Sequence, residues 1–536
     1  MKSSSLLPLL LGLASLTRLQ AQAAEAITVP RWQPNDFSFN SAAKLANPFT
    51  ADFSAIVTGP DGKTFTLPGF FDGDGTWKIR VAPTAEGQWS LVTKSELPEL
   101  NGQRAAFTCV KNGNPAIHGV LRVDAEHPHH FIFADGTRFF MQAYEYDWLW
   151  ALDADQPGVP TVNQTLDLIA RHGFNYVILN TYAHDTKWRQ GKTGPDDYGP
   201  PPFYPWAGSN DAPDHSRMNL AYWQHYDRVM TALLGRGMQA HIFIKVYNKA
   251  VKWPATGSAE EILFFRWLVA RYAAYPNVIW DFSKEAHNEK NVAYKQGWLK
   301  WLRENDPYHH LTTVHDDDAA NDSGAYDALT DFRADQHHGS EKGNAKGKNS
   351  NRVGNKRDTI LAQRERRAWP VANLESDYEC GPGGLKDKTY NGAMTPEATA
   401  STLWGIAMAG GYTGYYYTYT AWDVIRPFDE PKGYTYMKHF GDFWRATEYW
   451  KLEPSDKLVG SGYCLAQPGS EYVVFQKAAL PFSLTIAGVK SPLRGEWFDP
   501  FTGKRTPAGD FSNGPANVTP PANWGAAPLV LHLKVK

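Results

Sequence analysis

The strongest constraint on the fold is an alternation of strand-like and helix-like patterns between residues 113 and 450. Short runs rich in β-branched and aromatic residues alternate with longer stretches of helical periodicity, which is typical of parallel βα units. Eight strand candidates occur there, at 139–144, 175–180, 239–245, 278–280, 311–315, 332–336, 369–375 and 414–419. Eight such units predict one (β/α)8 barrel with long loops.

Residues 25–112 and 451–536 show a different pattern, with short strands separated by Gly- and Asp-containing turns. Thr76–Val81 alternates at period two, and Pro60-Asp61-Gly62 is a typical hairpin turn. We therefore predict a multidomain α/β and all-β protein: a (β/α)8 TIM barrel flanked by two small antiparallel β-sandwiches. For the N-terminal sandwich, a structural role is favoured over a carbohydrate-binding surface, because no motif supports the latter.

Residues 1–24 have the pattern of a signal peptide. A basic start at Lys2 precedes an almost wholly apolar run from Leu6 to Leu16 and a small-residue site at Ala21-Gln22-Ala23. The run is too short to span a membrane, and no later segment has about 18 uninterrupted apolar residues. We expect a periplasmic or secreted protein without membrane insertion.

Composition narrows the class of ligand. The net charge of −2 gives no electrostatic reason to expect nucleic acid. Aromatic residues make up 14% of the chain, and such rings can line sugar sites or fill cores. The sequence contains no zinc-ligand spacing, phosphate loop or G-x-S-x-G motif, so neither metal nor cofactor is predicted. Cys109, Cys380 and Cys464 are too far apart to predict a disulfide pairing.

Two carboxylates stand where strand candidates end. Val278-Ile279-Trp280 runs on to Glu285, and the seventh candidate ends at Glu375. In a βα barrel, catalytic groups lie at the carboxyl ends of the strands, and glycoside hydrolysis requires two carboxyl groups. Acids in the first turn of a helix are the alternative interpretation, and Glu289 and Glu379 are rival candidates.

Polar and aromatic residues follow most of the other strand candidates. We predict a shared substrate cleft formed by Tyr144, Tyr146, Asn180, His184, His315, Gln336, His337, Tyr378, Tyr419 and Trp422. Each has an alternative role in a cap, a loop or the barrel core. The basic segment 339–358 is expected to be a solvated loop, and a clamp on an acidic polysaccharide is the alternative.

The fourth and seventh strand candidates carry a family resemblance. Val278–Glu285 resembles the fourth-strand motif of the large clan of retaining (β/α)8 glycosidases, and Trp280 followed five positions later by Glu285 resembles the pattern of the apiosidase-like enzymes. The overall layout most closely resembles the apiosidase-like glycoside hydrolases, whose seventh-strand pattern is similar to Pro370–Glu379. The resemblance implies that Glu285 is the acid/base and that Glu375 is the nucleophile. We therefore predict a retaining glycoside hydrolase, with a plant or algal polysaccharide or oligosaccharide as its expected substrate.

The motif also departs from its relatives. The clan has Asn where this chain has Lys284, and the apiosidase pattern has Gly-Gly-Asp at Ser283-Lys284-Glu285. Specificity for apiose is therefore not inherited. Two alternative functions stay open from the sequence: a non-catalytic polysaccharide-binding protein, and a polysaccharide lyase that uses the histidines and the basic segment.

Overall fold

The structure, a computed structural model, describes residues 27–184, 203–316, 324–337, 356–384, 393–420, 425–524 and 528–535. The predicted signal peptide, Trp422 and residues 339–355 of the basic segment lie outside these ranges. No helix within the described ranges is both long and apolar enough to cross a bilayer.

Eight parallel strands form the centre of the described chain. They are β1 Gln142–Glu145, β2 Tyr176–Asn180, β3 Gln239–Val246, β4 Val278–Lys284, β5 in two pieces (Thr312–Thr313 and His315–Asp316), β6 Arg333–Gln336, β7 Val371–Glu375 and β8 Tyr412–Tyr417. They pair in the order β5-β4-β3-β2-β1-β8-β7-β6, and the second piece of β5 pairs with β6. All eight strand candidates are confirmed, and the sheet is a nearly closed parallel barrel.

Within the described residues, seven α-helices accompany these strands. They are α1 Pro160–Arg171, α2 Leu220–Gly235, α3 Ala259–Tyr272, α4 Val292–Asn305, α5 Lys356–Arg366, α6 Pro396–Ala407 and α7 Lys432–Arg445. In α1, Val162, Leu166 and Ile169 form one buried stripe at helical spacing. The described part of the β5–β6 connection, residues 324–332, consists of turns and bends rather than a helix.

A small antiparallel sheet covers the N-terminal end of the barrel. Its strands are Leu121–Val123, Phe131–Phe133 and Arg138–Phe139. The Phe131 ring packs edge-on against Phe332, just before β6, and the Nδ1 atom of His130 lies 2.9 Å from the hydroxyl of Tyr412 at the start of β8. This cover leaves the carboxyl ends of the strands as the open face.

The N-terminal region contains two sheets. The five-stranded sheet has the order Thr28–Pro30, Arg104–Val110, Gly87–Ser95, Phe53–Thr58 and Thr64–Pro68, and the three-stranded sheet has the order Asn35–Asn40, Thr76–Val81 and Phe70–Gly73. One detail of the prediction is wrong, because Thr28–Pro30 pairs in parallel with residues 108–110. No hairpin joins these two strands, so no tight turn forces them to be antiparallel.

The C-terminal region is antiparallel, as predicted. A six-stranded sheet has the order Glu453–Pro454, Tyr463–Gln467, Glu471–Gln476, Leu529–Val535, Leu493–Phe498 and Arg505–Phe511, and Phe482–Ile486 pairs with Gly514–Val518. Trp404 of α6 stacks on Phe475 with ring centroids 5.8 Å apart. The C-terminal sheet therefore shares apolar contacts with the barrel helices.

Candidate active site

The end of β4 turns sharply at the predicted acid/base. Glu285 follows directly after the strand and has a left-handed backbone, with φ at 50°. A side chain other than glycine pays roughly 1–2 kcal/mol for this conformation. Such strain is concentrated at functional sites, where the surrounding structure maintains it. The turn sends the Lys284 side chain into the barrel and leaves Glu285 at its mouth, 18% exposed.

Three amide groups hold the Glu285 carboxylate. Asn248 donates from Nδ2 to Oε1 at 2.8 Å, and Asn288 donates from Nδ2 to Oε2 at 2.9 Å. Gln336 at the end of β6 adds a longer contact of 3.4 Å from Nε2 to Oε1. The carboxylate is therefore oriented from three separate segments, while part of it still reaches solvent.

The predicted nucleophile ends β7 at the same face of the barrel. Glu375 is 3% exposed and accepts a hydrogen bond from the Tyr378 hydroxyl. The His315 Nε2 and Lys284 Nζ atoms each lie 3.4 Å from its Oε2. Gln336 is the register partner of Glu375 and also contacts Glu285. Gln336 is thus next to Glu375 through its backbone and next to Glu285 through its side chain.

A buried cluster of charges lies beside Glu375. Lys284 Nζ bonds to Glu145, and it lies 2.9 Å from both Asp147 Oδ2 and the Tyr416 hydroxyl. Burial alone would lower the pKa of Lys284, but Asp147, Glu145 and Glu375 raise it well above its usual value. Burial raises the pKa of Glu145 well above its usual value, and the neighbouring carboxylates add to this effect. Sequence analysis missed Glu145 and Asp147.

The two predicted tyrosines of β1 face the other way. The Tyr144 hydroxyl bonds to Thr420 at 2.7 Å and to Tyr434 of α7 at 2.9 Å. Tyr146 is 1% exposed, and its hydroxyl faces Thr165 of α1. Both rings lie between the barrel and its helices. This orientation does not support the predicted substrate contacts, because neither ring is accessible to a sugar.

Other predicted residues present unsatisfied polar groups. Asn180 ends β2 fully buried, and neither atom of its amide has a hydrogen-bond partner among the described residues. His315 is equally buried, and neither ring nitrogen makes a hydrogen bond within the described part of the chain. Buried polar groups are normally paired in proteins, so both side chains suit a polar ligand.

Of the remaining predicted residues, Tyr378 contacts a catalytic candidate, and the others contact different parts of the chain. His337 Nε2 lies 3.3 Å from the Thr359 hydroxyl of α5. Tyr378 bonds directly to the predicted nucleophile. The Arg426 guanidinium covers one face of Tyr419 at 3.7 Å from the ring centroid. His184 is half-buried and directly precedes the undescribed residues 185–202.

The rival carboxylates have structural partners. Glu289 accepts from the Asn291 backbone N–H at 2.7 Å, just before α4. Glu379 accepts from the Tyr415 hydroxyl at 2.6 Å and from the Gly433 N–H at 3.1 Å, at the start of α7. These contacts favour Glu285 and Glu375 as the catalytic candidates.

The described part of the basic segment is already neutralised. Lys356 pairs with Asp377 at 2.6 Å, and Arg357 pairs with Asp456 at 2.5 Å. These two cations therefore give no support to a clamp on an acidic polysaccharide. Within the described ranges, no group of three His, Cys, Asp or Glu residues is arranged to hold a metal ion, and all three cysteines are free thiols.

A parallel barrel with two carboxylates at the carboxyl ends of β4 and β7 has the architecture of a glycoside hydrolase. Residues 125–452, more than half of the chain, match the family described as "Apiosidase-like, catalytic domain". The chain belongs to this family and is a glycoside hydrolase. Residues 28–96 match a domain of unknown function, DUF5060. Family membership favours hydrolysis over the binding-protein and lyase alternatives.

Solved structures share the fold. A putative glycoside hydrolase from Bacteroides vulgatus has a TM-score of 0.76 at 20% identity, covering 95% of this chain and 99% of its own. A glycoside hydrolase family 5 protein from the same organism has a TM-score of 0.57 at 16% identity, covering 78% and 93%. No curated protein sequence matches the chain. At these identities, the similarity concerns the fold.

Proposed function

We propose that the protein is an exported, retaining glycoside hydrolase that cleaves a plant or algal polysaccharide or oligosaccharide by double displacement. Glu285 is the acid/base and Glu375 is the nucleophile. The observation that carries the proposal is the placement of Gln336, which is the register partner of Glu375 and also contacts Glu285. This contact supports the assignment of both carboxylates to one reaction centre.

The two carboxylates have surroundings suited to different tasks. Glu375 is almost fully buried, and the Lys284 ammonium at 3.4 Å supplies the opposite charge that a buried carboxylate needs. Glu285 is more exposed and is held by neutral amides, so it can exchange protons with a leaving group and with water. This difference matches the division between a nucleophile and an acid/base.

The reaction then proceeds in two steps. The Glu375 carboxylate attacks the anomeric carbon while Glu285 protonates the departing glycosidic oxygen, which gives a glycosyl–enzyme ester. Glu285, now ionised, takes a proton from water, and the resulting attack on the anomeric carbon releases Glu375. Two inversions retain the anomeric configuration. This course requires carboxyl oxygens about 5–5.5 Å apart.

Asn180 and His315 support a polyhydroxylated substrate. The Asn180 amide and the His315 Nδ1 atom are buried and lack hydrogen-bond partners within the described residues, which is unfavourable by roughly 1–3 kcal/mol for each unsatisfied group. Sugar hydroxyls both donate and accept hydrogen bonds, so a bound sugar would relieve this penalty. The apiose-type motif is altered at Ser283-Lys284-Glu285, so the proposal does not specify apiose.

Export is the part of the proposal that rests on residues 1–24. Their basic start, apolar run and small-residue cleavage site favour a periplasmic or secreted location. The test is N-terminal sequencing of the protein recovered from the periplasm and the medium of the producing cells. A mature chain that begins near residue 24 is expected, and an uncleaved cytoplasmic chain would contradict export.

The catalytic assignment is tested by release of reducing sugar from an array of plant and algal polysaccharides. Glu285→Gln and Glu375→Gln should each lower the rate at least about 100-fold, the scale of a lost acid/base or nucleophile. Glu379→Gln is the matched control, because that nearby buried carboxylate has other partners. It should remain active.

Proton NMR of the first-formed anomer tests retention. The anomeric configuration of the cleaved bond is expected in the product. An inverted product would overturn the double displacement, and an unsaturated product detected by ultraviolet absorption would indicate a lyase. Activity that survives in Glu375→Gln would remove that residue from the mechanism.

A further inference from the structure

Lys284 is an unusual residue for the interior of a barrel at the carboxyl ends of its strands. Its side chain is fully buried, and its Nζ atom lies among the carboxylates of Glu145, Asp147 and Glu375. Removing an ammonium from water costs several kcal/mol even after relaxation, and only close opposite charges repay that cost. One lysine therefore holds together carboxylates from β1, from the residues after β1, and from β7.

The hydrogen-bonding capacity of Lys284 is already used. An ammonium has three N–H donors, and Glu145, Asp147 and the Tyr416 hydroxyl each lie within hydrogen-bond distance of Nζ. Glu375 lies farther away, at 3.4 Å, so the lysine acts on it mainly through charge. Lys284 thus stabilises the Glu375 carboxylate without a short hydrogen bond to it, so the lysine does not block the attack of Glu375 on a substrate.

The cluster holds more carboxyl groups than cations. Lys284 is the one buried cation that the described contacts place beside Glu145, Asp147 and Glu375. Burial and the neighbouring carboxyl groups raise the pKa of Glu145. Asp147 accepts hydrogen bonds from both Lys284 and the Tyr416 hydroxyl. All three acidic side chains therefore depend on the charge of Lys284.

We propose that Lys284 is a positioning residue whose buried positive charge keeps the Glu375 carboxylate ionised and in place for attack. This inference rests on the proposed nucleophilic role of Glu375. It also gives the departure from the usual Asn a function, because an uncharged amide could not balance Glu145, Asp147 and Glu375 together. The ammonium itself stays protonated, since its three acidic neighbours raise its pKa, and it serves neither as a base nor as a nucleophile.

Several groups face Glu375 and enter its titration. They are Lys284 on β4, Glu145 and Asp147 at the end of β1, His315 on β5, Tyr378 after β7, Tyr416 on β8, and Glu285 across Gln336. Lys284 is the one permanent cation in this set of described residues. Its removal should therefore dominate any change in the acidic limb of the pH–rate profile.

The test compares Lys284→Met with Lys245→Met. Lys245 is a second buried lysine, on β3, but it bonds to Glu261 of α3 and to Tyr294 of α4. Both variants lose a buried cation, while only the first loses one beside Glu375. The measurement is kcat/KM as a function of pH with the 4-nitrophenyl glycoside that the wild-type protein hydrolyses.

We expect the acidic limb of Lys284→Met to move up by about one to three pH units, the usual effect of one nearby charge. At a pH within the acidic limb of wild type, kcat/KM of Lys284→Met should therefore be about 10- to 1000-fold lower than that of wild type. Lys284→Arg should restore the limb. Lys245→Met should leave its position unchanged, whatever its effect on stability. An acidic limb that does not move in Lys284→Met would overturn the inference.

One further variant keeps the test decisive. If Lys284→Met does not fold, Lys284→Met/Glu145→Gln removes a partner carboxyl together with the cation, and the same upward shift is expected. Failure of the proposed function has a separate signature. In that case Glu375→Gln keeps its activity, whereas failure of the present inference leaves Glu375→Gln inactive and the acidic limb of Lys284→Met unmoved.

Discussion

Glu375 and Glu379 lie four positions apart, yet their surroundings differ. Glu375 lies beside a lysine, whereas Glu379 accepts hydrogen bonds from the Tyr415 hydroxyl and the Gly433 N–H. Burial raises the pKa of Glu379 to about 7, which means that folding favours its protonated form. Glu379 therefore responds to pH through stability rather than catalysis.

Glu379→Gln should remove a pH-dependent loss of stability. The raised pKa gives wild-type Glu379 its full contribution below about pH 4.5, and this contribution is lost as the pH rises through about 7. Glutamine resembles the protonated acid in shape. Above pH 7 we expect the free energy of unfolding of the variant to exceed that of wild type by up to about 3 kcal/mol, which raises its urea midpoint. Near pH 4 the two proteins should have the same stability.

Urea titrations at several pH values check this prediction. Activity within about twofold of wild type is expected, because Glu379 contacts neither Glu285 nor Glu375 in the described contacts. A pH-independent stability difference would contradict the assignment of a raised pKa to Glu379.

The orientation of Glu285 depends on individual amides. Asn248→Ala removes the 2.8 Å bond to Oε1 and leaves the contacts from Asn288 and Gln336. A misplaced acid/base loses near-attack geometry, so we expect kcat to fall about 10- to 100-fold with a smaller change in KM. Steady-state kinetics measure both constants. Asn305→Ala, at the end of α4, is the control and should retain wild-type kinetics.

At the scale of elements, periodicity predicted which segments form the barrel. All eight strand candidates occur within a few residues of their expected limits, because a strand buried on both faces needs a continuous apolar run. The turns of the flanking sheets could equally be predicted from the sequence. The parallel pairing of Thr28–Pro30 was not, because nothing local encodes a partner about 80 residues away.

The face of β1 that meets the barrel interior could not be predicted from the sequence. Tyr144 and Tyr146 alternate with Glu145 and Asp147, so the sequence offers two faces and does not state which one meets the interior. The structure buries both tyrosines, and the role of Tyr144 and Tyr146 in substrate binding stays a prediction. The deciding partner is Lys284, on a strand more than 130 residues away. A cluster of this kind can be recognised only when the register is known.

Tyr144→Phe tests the observed face of β1. The change deletes a buried hydroxyl that bonds to Thr420 and Tyr434 and leaves the ring in place. We expect the free energy of unfolding to fall by about 1–2 kcal/mol, with kcat/KM within about twofold of wild type. Urea unfolding and steady-state kinetics give the two values. A several-fold rise in KM with unchanged stability would instead assign Tyr144 to the substrate cleft.

At the scale of the whole molecule, one buried arginine joins the N-terminal sheets to the barrel. Arg80 bonds to Asp36 within its own region, and across the contact it bonds to Asp227 of α2 and to the Arg271 carbonyl of α3. Burial alone would raise the pKa of Asp227, but Arg271 and Arg80 hold it below its usual value. The N-terminal region is therefore coupled to two barrel helices through desolvated charges.

Arg80→Met should uncouple this contact. It leaves Asp36 and Asp227 short of a buried partner, and breaking a buried pair typically costs about 3–5 kcal/mol. Arg266→Met is the control, because Arg266 pairs with Asp52 across the same two regions but is half-exposed, and surface pairs contribute at most about 1 kcal/mol. Calorimetry should show a lower unfolding temperature for Arg80→Met, and limited proteolysis should cleave its N-terminal region first. Equal effects from both variants would mean that burial of the Arg80 charges does not stabilise this contact.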